Sequence, residues 1–221
     1  TGAVDSITTG DYNVGVGDSA LTANTTGSNS TAVGYTALYS NTTGASNTAT
    51  GSQSLFYNTT ASYNTANGYQ ALYSNTTANN NTATGYQALF SNTTGTNNVA
   101  LGAYALDANT TASNNVGVGL NAAGSTTTGA DNIAIGTNSL LQNTTGGSNV
   151  GVGTYALNAN TTASYNTAVG WSALTTNTTG ANNTASGYEA MYSNNTGSNN
   201  VASGYQALRL NTTGIGSVAI G

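Results

Sequence analysis

The order of small, apolar and polar residues returns every seventeen residues along the whole chain. We number each repeat from the residue three places before its invariant glycine, so that glycine occupies position 4 in thirteen copies, from Gly17 to Gly221. Position 2 is always Ala or Gly, position 7 is always Ala or Ser, and position 8 is Leu in ten copies. No copy gains or loses a residue, and such regularity indicates a solenoid in which each repeat is one coil.

The residues within each repeat favour strands and turns over helices. Seventeen residues cannot hold two packed helices, and β-branched pairs such as Val14 with Val16 and Ile133 with Ile135 stand among poor helix formers. We predict a strand at positions 1 to 3, a glycine bend at position 4, a second strand at positions 6 to 9 and a turn-rich return over positions 10 to 17. Coils stacked in parallel at ~4.8 Å give an all-β fold. The predicted class is a parallel β-solenoid (β-roll) of thirteen coils, one continuous domain over residues 1–221.

The alternation of strand side chains between two faces identifies the core. The side chain at position 2 is never larger than that of Ala, whereas positions 1 and 3 accept Thr, Val, Ile, Ser and Asn. Position 2 is therefore predicted to face inward. Together with Leu at position 8 it gives a thin core, in which one Leu per coil contributes only about 0.8 kcal/mol per buried CH₂. Hydrogen-bond ladders are therefore expected to supply much of the remaining order.

Asparagine recurs at positions 11 and 17, in eleven copies each. Stacked over itself in successive coils, it can satisfy turn backbone groups and bond amide to amide. The position 11 residues also begin Asn-x-Thr acceptor sequences for N-glycosylation. Glycans on adjacent coils would lie ~4.8 Å apart, closer than the width of a sugar ring, so a turn ladder is the favoured interpretation. These residues are Asn24, Asn41, Asn58, Asn75, Asn92, Asn109, Asn143, Asn160, Asn177, Asn194 and Asn211.

Aromatic residues gather at two other positions. Position 5 carries Tyr35, Tyr69, Tyr86, Trp171, Tyr188 and Tyr205, and position 9 carries Tyr39, Phe56, Tyr73, Phe90 and Tyr192. Such columns could bind sugars or another chain through the position 5 rings, or the rings could stack on one another along the coil axis. Axial stacking is the favoured interpretation, because other residue types interrupt the position 5 column.

The outward positions 1 and 3 form a flat, β-branched face. Flat Thr arrays on rigid β-solenoids are also a feature of ice-binding proteins, so ice binding is one hypothesis for this face. Thr and Val are mixed irregularly here, and position 3 is interrupted by Asn67, Leu101, Ser186 and Ser203. A contact between copies of the chain is therefore the favoured use of the face.

Composition removes most catalytic chemistry. The chain has 3% charged residues, no His, no Cys and a single basic residue, Arg209, so it lacks the usual bases, thiolate and amine nucleophiles and soft metal ligands. The six acidic residues are spread over five repeat positions, none in neighbouring coils at the same position, and form no carboxylate ladder. A net charge of −5 argues against binding nucleic acid or an anionic membrane surface. We therefore expect no enzyme activity, no cofactor, no metal and no membrane insertion.

The two ends carry complementary parts of one coil. Residues 1–13 fill positions 5 to 17, and residues 218–221 fill positions 1 to 4. An uncapped coil leaves an unpaired strand edge, so we expect either that copies stack end to end or that the chain is a segment of a longer array. The expected junction comprises Thr1, Val4, Ile7, Val218, Ile220 and Gly221.

Several runs resemble a known family. The runs at 13–17 (Asn-Val-Gly-Val-Gly), 132–136 (Asn-Ile-Ala-Ile-Gly) and 217–221 (Ser-Val-Ala-Ile-Gly) resemble the head repeats of trimeric autotransporter adhesins, although those repeats are shorter. The run at 81–89 resembles repeats of phage tail-fibre-like and secreted surface proteins. The resemblance implies a left-handed roll, three chains assembled side by side, and an adhesive or spacer rod outside the cell.

Three functional hypotheses follow. The first is a non-enzymatic structural fibre or adhesin-rod segment, extracellular, on the cell surface or in a virion fibre, whose partner is itself in a head-to-tail filament or a side-by-side trimer. The second is an adhesin module that binds surface glycans through its aromatic columns. The third is ice binding.

Overall fold

A computed structural model describes residues 2–3 and 6–221 of the chain. These residues form short strands and turns, and no helix occurs among them. The strands are β1 (Val14–Val16), β2 (Thr31–Val33), β3 (Thr48–Thr50), β4 (Thr65–Asn67), β5 (Thr82–Thr84), β6 (Val99–Leu101), β7 (Val116–Val118), β8 (Ile133–Ile135), β9 (Val150–Val152), β10 (Thr167–Val169), β11 (Thr184–Ser186), β12 (Val201–Ser203) and β13 (Val218–Ile220). Every strand occupies positions 1 to 3, as the repeat pattern predicts, and the all-β solenoid is confirmed.

Within each of two compact units, consecutive strands pair in parallel with a register shift of seventeen residues. The strands fall into two compact units, Thr1–Ser113 with β1 to β6 and Asn114–Gly221 with β7 to β13. In the first unit Ala32 of β2 lies beside Ala49 of β3, and in the second Ile133 of β8 lies beside Val150 of β9. Each coil therefore places like positions over like positions. The expectation of one continuous domain stays a prediction.

The second strand predicted at positions 6 to 9 is wrong, because these residues form turns. Positions 6 and 8 have left-handed backbone conformations in twelve coils each, for example φ 52° at Thr36 and φ 50° at Leu38. A strand requires negative φ. Hydrogen bonds between coils persist nonetheless: Thr36 N–H donates to Asp18 O of the preceding coil at 2.9 Å, and Leu38 N–H donates to Ser54 O of the following coil at 3.0 Å.

The core contains small and branched apolar side chains in layers. Ala at position 2 and Leu at position 8 are buried, as predicted, and position 7 joins them; Ala32, Ala37 and Leu38 have no exposed surface. Positions 1 and 3 face outward, so β3 has an exposed, buried, exposed pattern. The core is thin, and the Asn residues at positions 11 and 17 lie inside it as well.

Glycine at position 4 makes the bend that the sequence predicts. Its φ lies between 123° and 141°, in a region that other residues rarely adopt. The column is also crowded: a Cβ on Gly34 would lie 2.6 Å from the carbonyl oxygen of Gly51 in the next coil. Both the backbone conformation and the approach of neighbouring coils therefore require glycine.

We expect Gly136→Ala to destabilise the second unit. At φ 126° the substitution strains the backbone, which costs about 1–3 kcal/mol, and its Cβ would lie 2.7 Å from the carbonyl carbon of Gly153. Gly147→Ala is the matched control, because Ala130 and Ala181 already occupy the same position 15. Urea unfolding measures both variants. Equal unfolding midpoints for the two would contradict this account of position 4.

Candidate functional site: amide ladders, aromatic columns and a lateral groove

Asparagine at position 11 forms a ladder inside the coils. Asn58 Nδ2 donates to Asn41 Oδ1 at 2.8 Å and to Ala61 O at 3.0 Å. Asn75 Nδ2 in turn donates to Asn58 Oδ1 at 3.0 Å, so each amide gives a hydrogen bond to the preceding coil and receives one from the following coil. The same bond joins Asn24, Asn41, Asn58, Asn75, Asn92 and Asn109 in the first unit and Asn143, Asn160, Asn177, Asn194 and Asn211 in the second.

Asparagine at position 17 forms a second ladder between side chain and backbone. Asn64 Oδ1 accepts from Asn81 N–H at 2.9 Å, and Asn64 Nδ2 donates to Ala78 O at 2.9 Å. Asn75 Nδ2 donates to the same Ala78 oxygen at 3.0 Å. The two Asn columns therefore meet at one acceptor, the position 14 carbonyl.

The ladders leave little room for N-glycosylation of the folded chain. Ten of the Asn residues that begin glycosylation sequences, from Asn24 to Asn194, have no exposed surface, and the eleventh, Asn211, is half-buried. A glycan on the Asn58 side chain would displace a hydrogen bond to Asn41 or Ala61 and would need space inside the core. In the folded coils these residues have a structural role.

A third ladder, at position 6, was missed by the sequence analysis. Gln70 Nε2 donates to Gln53 Oε1 at 2.8 Å, and Gln87 Nε2 donates to Gln70 Oε1 at 2.7 Å. The sequence does indicate this ladder, because Gln occurs at position 6 in three successive coils. This ladder lies at the surface, where its side chains are only partly buried.

The aromatic residues stack along the coils. At position 9, Tyr39, Phe56, Tyr73 and Phe90 are stacked with ring centres 5.1 to 5.3 Å apart. At position 5, Tyr69 stacks on Tyr86 at 5.4 Å, Trp171 on Tyr188 at 5.0 Å, and Tyr188 on Tyr205 at 5.3 Å. Stacking covers ring faces, so these columns present mainly ring edges to solvent.

Tyr35 is different from the other position 5 rings. Among the described rings it has no stacking partner, because Asp18 and Ser52 stand at position 5 of the neighbouring coils. Its side chain is 56% exposed. It borders a groove of about 330 Å³ in the first unit, lined by Ser19, Tyr35, Thr36, Tyr39, Gln53 and Phe56.

Arg209 forms an ion pair in the second unit. Its Nε donates to Glu189 Oε2 at 2.6 Å, and Gln206 Nε2 donates to the same oxygen at 2.8 Å. Its guanidinium carbon lies 5.4 Å from the centre of the Tyr192 ring. Arg209 occupies position 9, so a cation stands over Tyr192 where other coils place a second ring.

The ion pair shifts the pKa of both Glu189 and Arg209. The hydrogen bond from Arg209 lowers the pKa of Glu189 against the opposing effect of burial, and the Gln206 amide lowers it further. The same hydrogen bond raises the pKa of Arg209. The pKa of the Asp107 carboxyl shifts in the other direction. Burial raises it, and this effect outweighs the hydrogen bonds from the backbone N–H groups of Asp107 and Ala108, which lower it.

The expected junction residues are only partly described. Thr1 and Val4 lie outside the described residues, and Ile7 is half-buried in the first unit. Val218 and Ile220 are 71% and 84% exposed, and Gly221 is exposed too.

The described residues contain no group of three or more His, Cys, Asp or Glu that could hold a metal ion. Nor do they include a helix with the length and apolar character of a membrane span. Comparisons of the chain with models of protein families, with curated proteins and with solved structures find no match.

Removal of one ladder amide should destabilise the first unit. Asn75→Ala leaves Asn58 Oδ1 and Asn92 Nδ2 without their ladder partner and takes one amide from Ala78 O. We expect the free energy of unfolding to fall by about 2–5 kcal/mol, since each buried polar group left unpaired costs about 1–3 kcal/mol.

Asn79→Ser in the same coil is the control for Asn75→Ala. Asn79 Oδ1 accepts from Ser62 N–H at 2.7 Å, and a serine can do the same, as Ser62 Oγ does for Ala45 N–H at 3.0 Å. Asn79→Ser should change the free energy of unfolding by no more than about 0.5 kcal/mol. If urea unfolding gave equal midpoints for the two variants, the buried ladder would not contribute to stability.

The ion pair should make stability depend on pH. Because the folded pKa of Glu189 lies below the ordinary value of about 4.3, the unfolded chain binds more protons in acid. The contribution is present above that value and is lost as the pH falls through the folded pKa. We expect the difference in thermal midpoint between the original chain and Glu189→Gln to shrink from neutral pH to about pH 3.

Arg209→Gln is the companion variant, since it keeps Glu189 but removes the cause of its shift. Its midpoint should approach that of the original chain in acid in the same way. A difference that stays constant with pH for both variants would show that the ion pair does not couple protonation to folding.

Proposed function

We propose that this chain is a non-enzymatic structural rod segment, of a fibre or an adhesin, that works outside the cell and extends by stacking coil on coil. The observation that carries the proposal is the direction of the position 11 ladder. The amides inside each ladder donate to the preceding coil and accept from the following coil, as Asn58 does in the first unit and Asn160 in the second. The buried polar side chains of these ladders hold neighbouring coils together.

A structural role agrees with the chemistry of the side chains. The chain has no His, Cys or Lys, and its one cation is paired with Glu189. Apart from Glu189, the buried polar residues are amides and hydroxyls, most of them Asn in the two ladders. Amides bond well but are poor acids, bases and nucleophiles at neutral pH.

The two faces of a coil differ, and this difference decides how copies can associate. One face of the ladder offers Nδ2 donors and the other offers Oδ1 acceptors. If two copies met through the same face, hydrogen-bond donors would lie against donors, or acceptors against acceptors. Association is therefore head to tail, which is a heterologous contact and generates an open filament.

The last coil has unused bonding capacity and exposed apolar surface. In coils followed by another, the N–H at position 1 donates to the position 17 carbonyl of the next coil, as Val201 N–H does to Ser217 O at 2.8 Å. Val218 and Ile220 are 71% and 84% exposed, against 37% and 39% for Ile133 and Ile135 at the same positions. We propose that the first coil of a second copy covers this face and completes the coil with its positions 5 to 17, where Ile7 takes the place of Asn at position 11 and the position 11 ladder starts again at Asn24.

Work outside the cell is supported by two sequence features. The first is the resemblance of 217–221 to adhesin head repeats. The second is the near absence of sites for trypsin-like proteases, which cleave after Lys and Arg, because the only such residue is Arg209. A rod exposed to secreted proteases would benefit from this composition.

The variant Val218→Pro tests axial stacking. Proline removes the N–H that faces the following coil and blocks strand pairing at that edge, while Gly221 N–H can keep its bond to Ser203 O at 2.9 Å. We expect the original chain to form head-to-tail oligomers in sedimentation velocity and rods in negative-stain images, and Val218→Pro to remain monomeric.

Val218→Thr is the matched control, because Thr occupies position 1 in β3, β4 and β5. It should assemble like the original chain. A monodisperse monomer at high concentration would contradict the proposal. Equal assembly of all three chains would point instead to a lateral contact through positions 1 and 3.

A further inference from the structure

The groove beside Tyr35 combines an open aromatic face, hydroxyl side chains and the amide at the end of the Gln ladder. It lies between the position 5 and position 9 aromatic columns in the coils of β1, β2 and β3. Position 6 side chains form its floor, namely Ser19, Thr36 and Gln53. Its volume of about 330 Å³ is at the lower end of the range for small-molecule sites, roughly 300–1,000 Å³.

Tyr35 supplies an open aromatic face. Each of the other rings at position 5 stacks on at least one neighbouring ring, and Tyr188 is covered on both faces. Tyr35 is 56% exposed and has no ring above or below it among the described residues. An aromatic face with a polar tip is suited to a ligand that is apolar on one side and polar at its edge.

Gln53 supplies an amide at the end of its ladder. In this ladder each Nε2 donates to the Oε1 of the preceding coil, as Gln70 does to Gln53. The preceding coil has Thr36 in place of Gln, and the Thr36 hydroxyl donates to Tyr35 O at 2.8 Å. The Nε2 of Gln53 is thus directed to the part of the coil surface where the groove lies.

We propose that this groove binds one neutral hexopyranose unit of a glycan. The C–H face of the sugar lies on the Tyr35 ring, and adjacent hydroxyls bond to the Gln53 amide, which can both donate and accept. The rod proposal is not required for this inference, because the groove is on the side of the coils and not on the stacking face.

The charges around the groove favour a neutral sugar over an acidic one. Ser19 Oγ donates to Asp18 Oδ1 at 3.4 Å, so a carboxylate lies next to the lining. The chain's one cation, Arg209, belongs to the second unit and is paired with Glu189. A sialic acid or uronic acid carboxylate would meet repulsion here without a compensating cation.

The test is saturation-transfer NMR with the full chain and a panel of methyl glycosides of glucose, galactose, mannose and N-acetylglucosamine, with sialyllactose as the acidic probe. Single sugars bind weakly, so the panel is used at millimolar concentration. We expect at least one neutral glycoside to receive saturation, strongest at the ring C–H groups on one face. Sialyllactose should receive none at its sialic acid.

Two variants locate the binding site. Tyr35→Ala should reduce the affinity at least about tenfold, and the fold should tolerate it because Ala103 occupies the same position 5. Gln53→Thr, which copies Thr36, should weaken binding about three- to tenfold, the equivalent of one hydrogen bond. Tyr35→Phe keeps the ring and should retain most of the affinity.

Tyr188→Ala is the matched control, since Tyr188 has the same coil position but lies between Trp171 and Tyr205. It should bind like the original chain. The proposal is overturned if no neutral glycoside receives saturation, if Tyr35→Ala binds as well as the original chain, or if Tyr188→Ala loses binding to the same extent. Preferential binding of sialyllactose through its acid would also overturn it.

Discussion

The structure depends on hydrogen bonds between buried asparagine amides. Most coils bury an Asn at position 11 and another at position 17, and an unpaired buried amide is costly. The two amides are satisfied together because both donate to the position 14 carbonyl, as Asn64 and Asn75 do to Ala78. This geometry holds only if equivalent residues lie over one another. An inserted or deleted residue would break both ladders at once, which gives a physical reason for the unbroken seventeen-residue period.

Backbone hydrogen bonds between neighbouring coils accompany an unusual backbone. Non-glycine residues at positions 6, 8 and 16 adopt left-handed φ values in coil after coil, and each such residue costs about 1–2 kcal/mol. These residues still form hydrogen bonds to adjacent coils, for example Leu38 N–H to Ser54 O. A coil gains its stability from its neighbours, as in other solenoids, and not from local preference. The small residues at positions 2, 4 and 7 permit the close approach that makes these bonds possible.

Much of the fold could be predicted from the sequence, because it follows from the period. Strands at positions 1 to 3, the bend at Gly34 and its equivalents, the inward Ala at position 2 and the stacking of like residues all repeat thirteen times or nearly so. The prediction of a second strand failed because Thr36 and Leu38 have no local preference for positive φ. Only the hydrogen bonds between coils impose that conformation. The Tyr35 groove and the Glu189–Arg209 pair were missed for another reason: each arises where one coil departs from the consensus, and only coordinates show which side chains then meet.

The Asn amides at positions 11 and 17 are internal parts of the scaffold and leave the surface for assembly and recognition. Hydrogen exchange of side-chain amides, followed by NMR in deuterated water, tests this most directly. We predict that the Nδ2 hydrogens at positions 11 and 17, such as those of Asn58 and Asn64, exchange as slowly as the backbone amides of the strands. Exchange as fast as that of the exposed Asn79 side chain would contradict the buried ladders and with them the proposed rod.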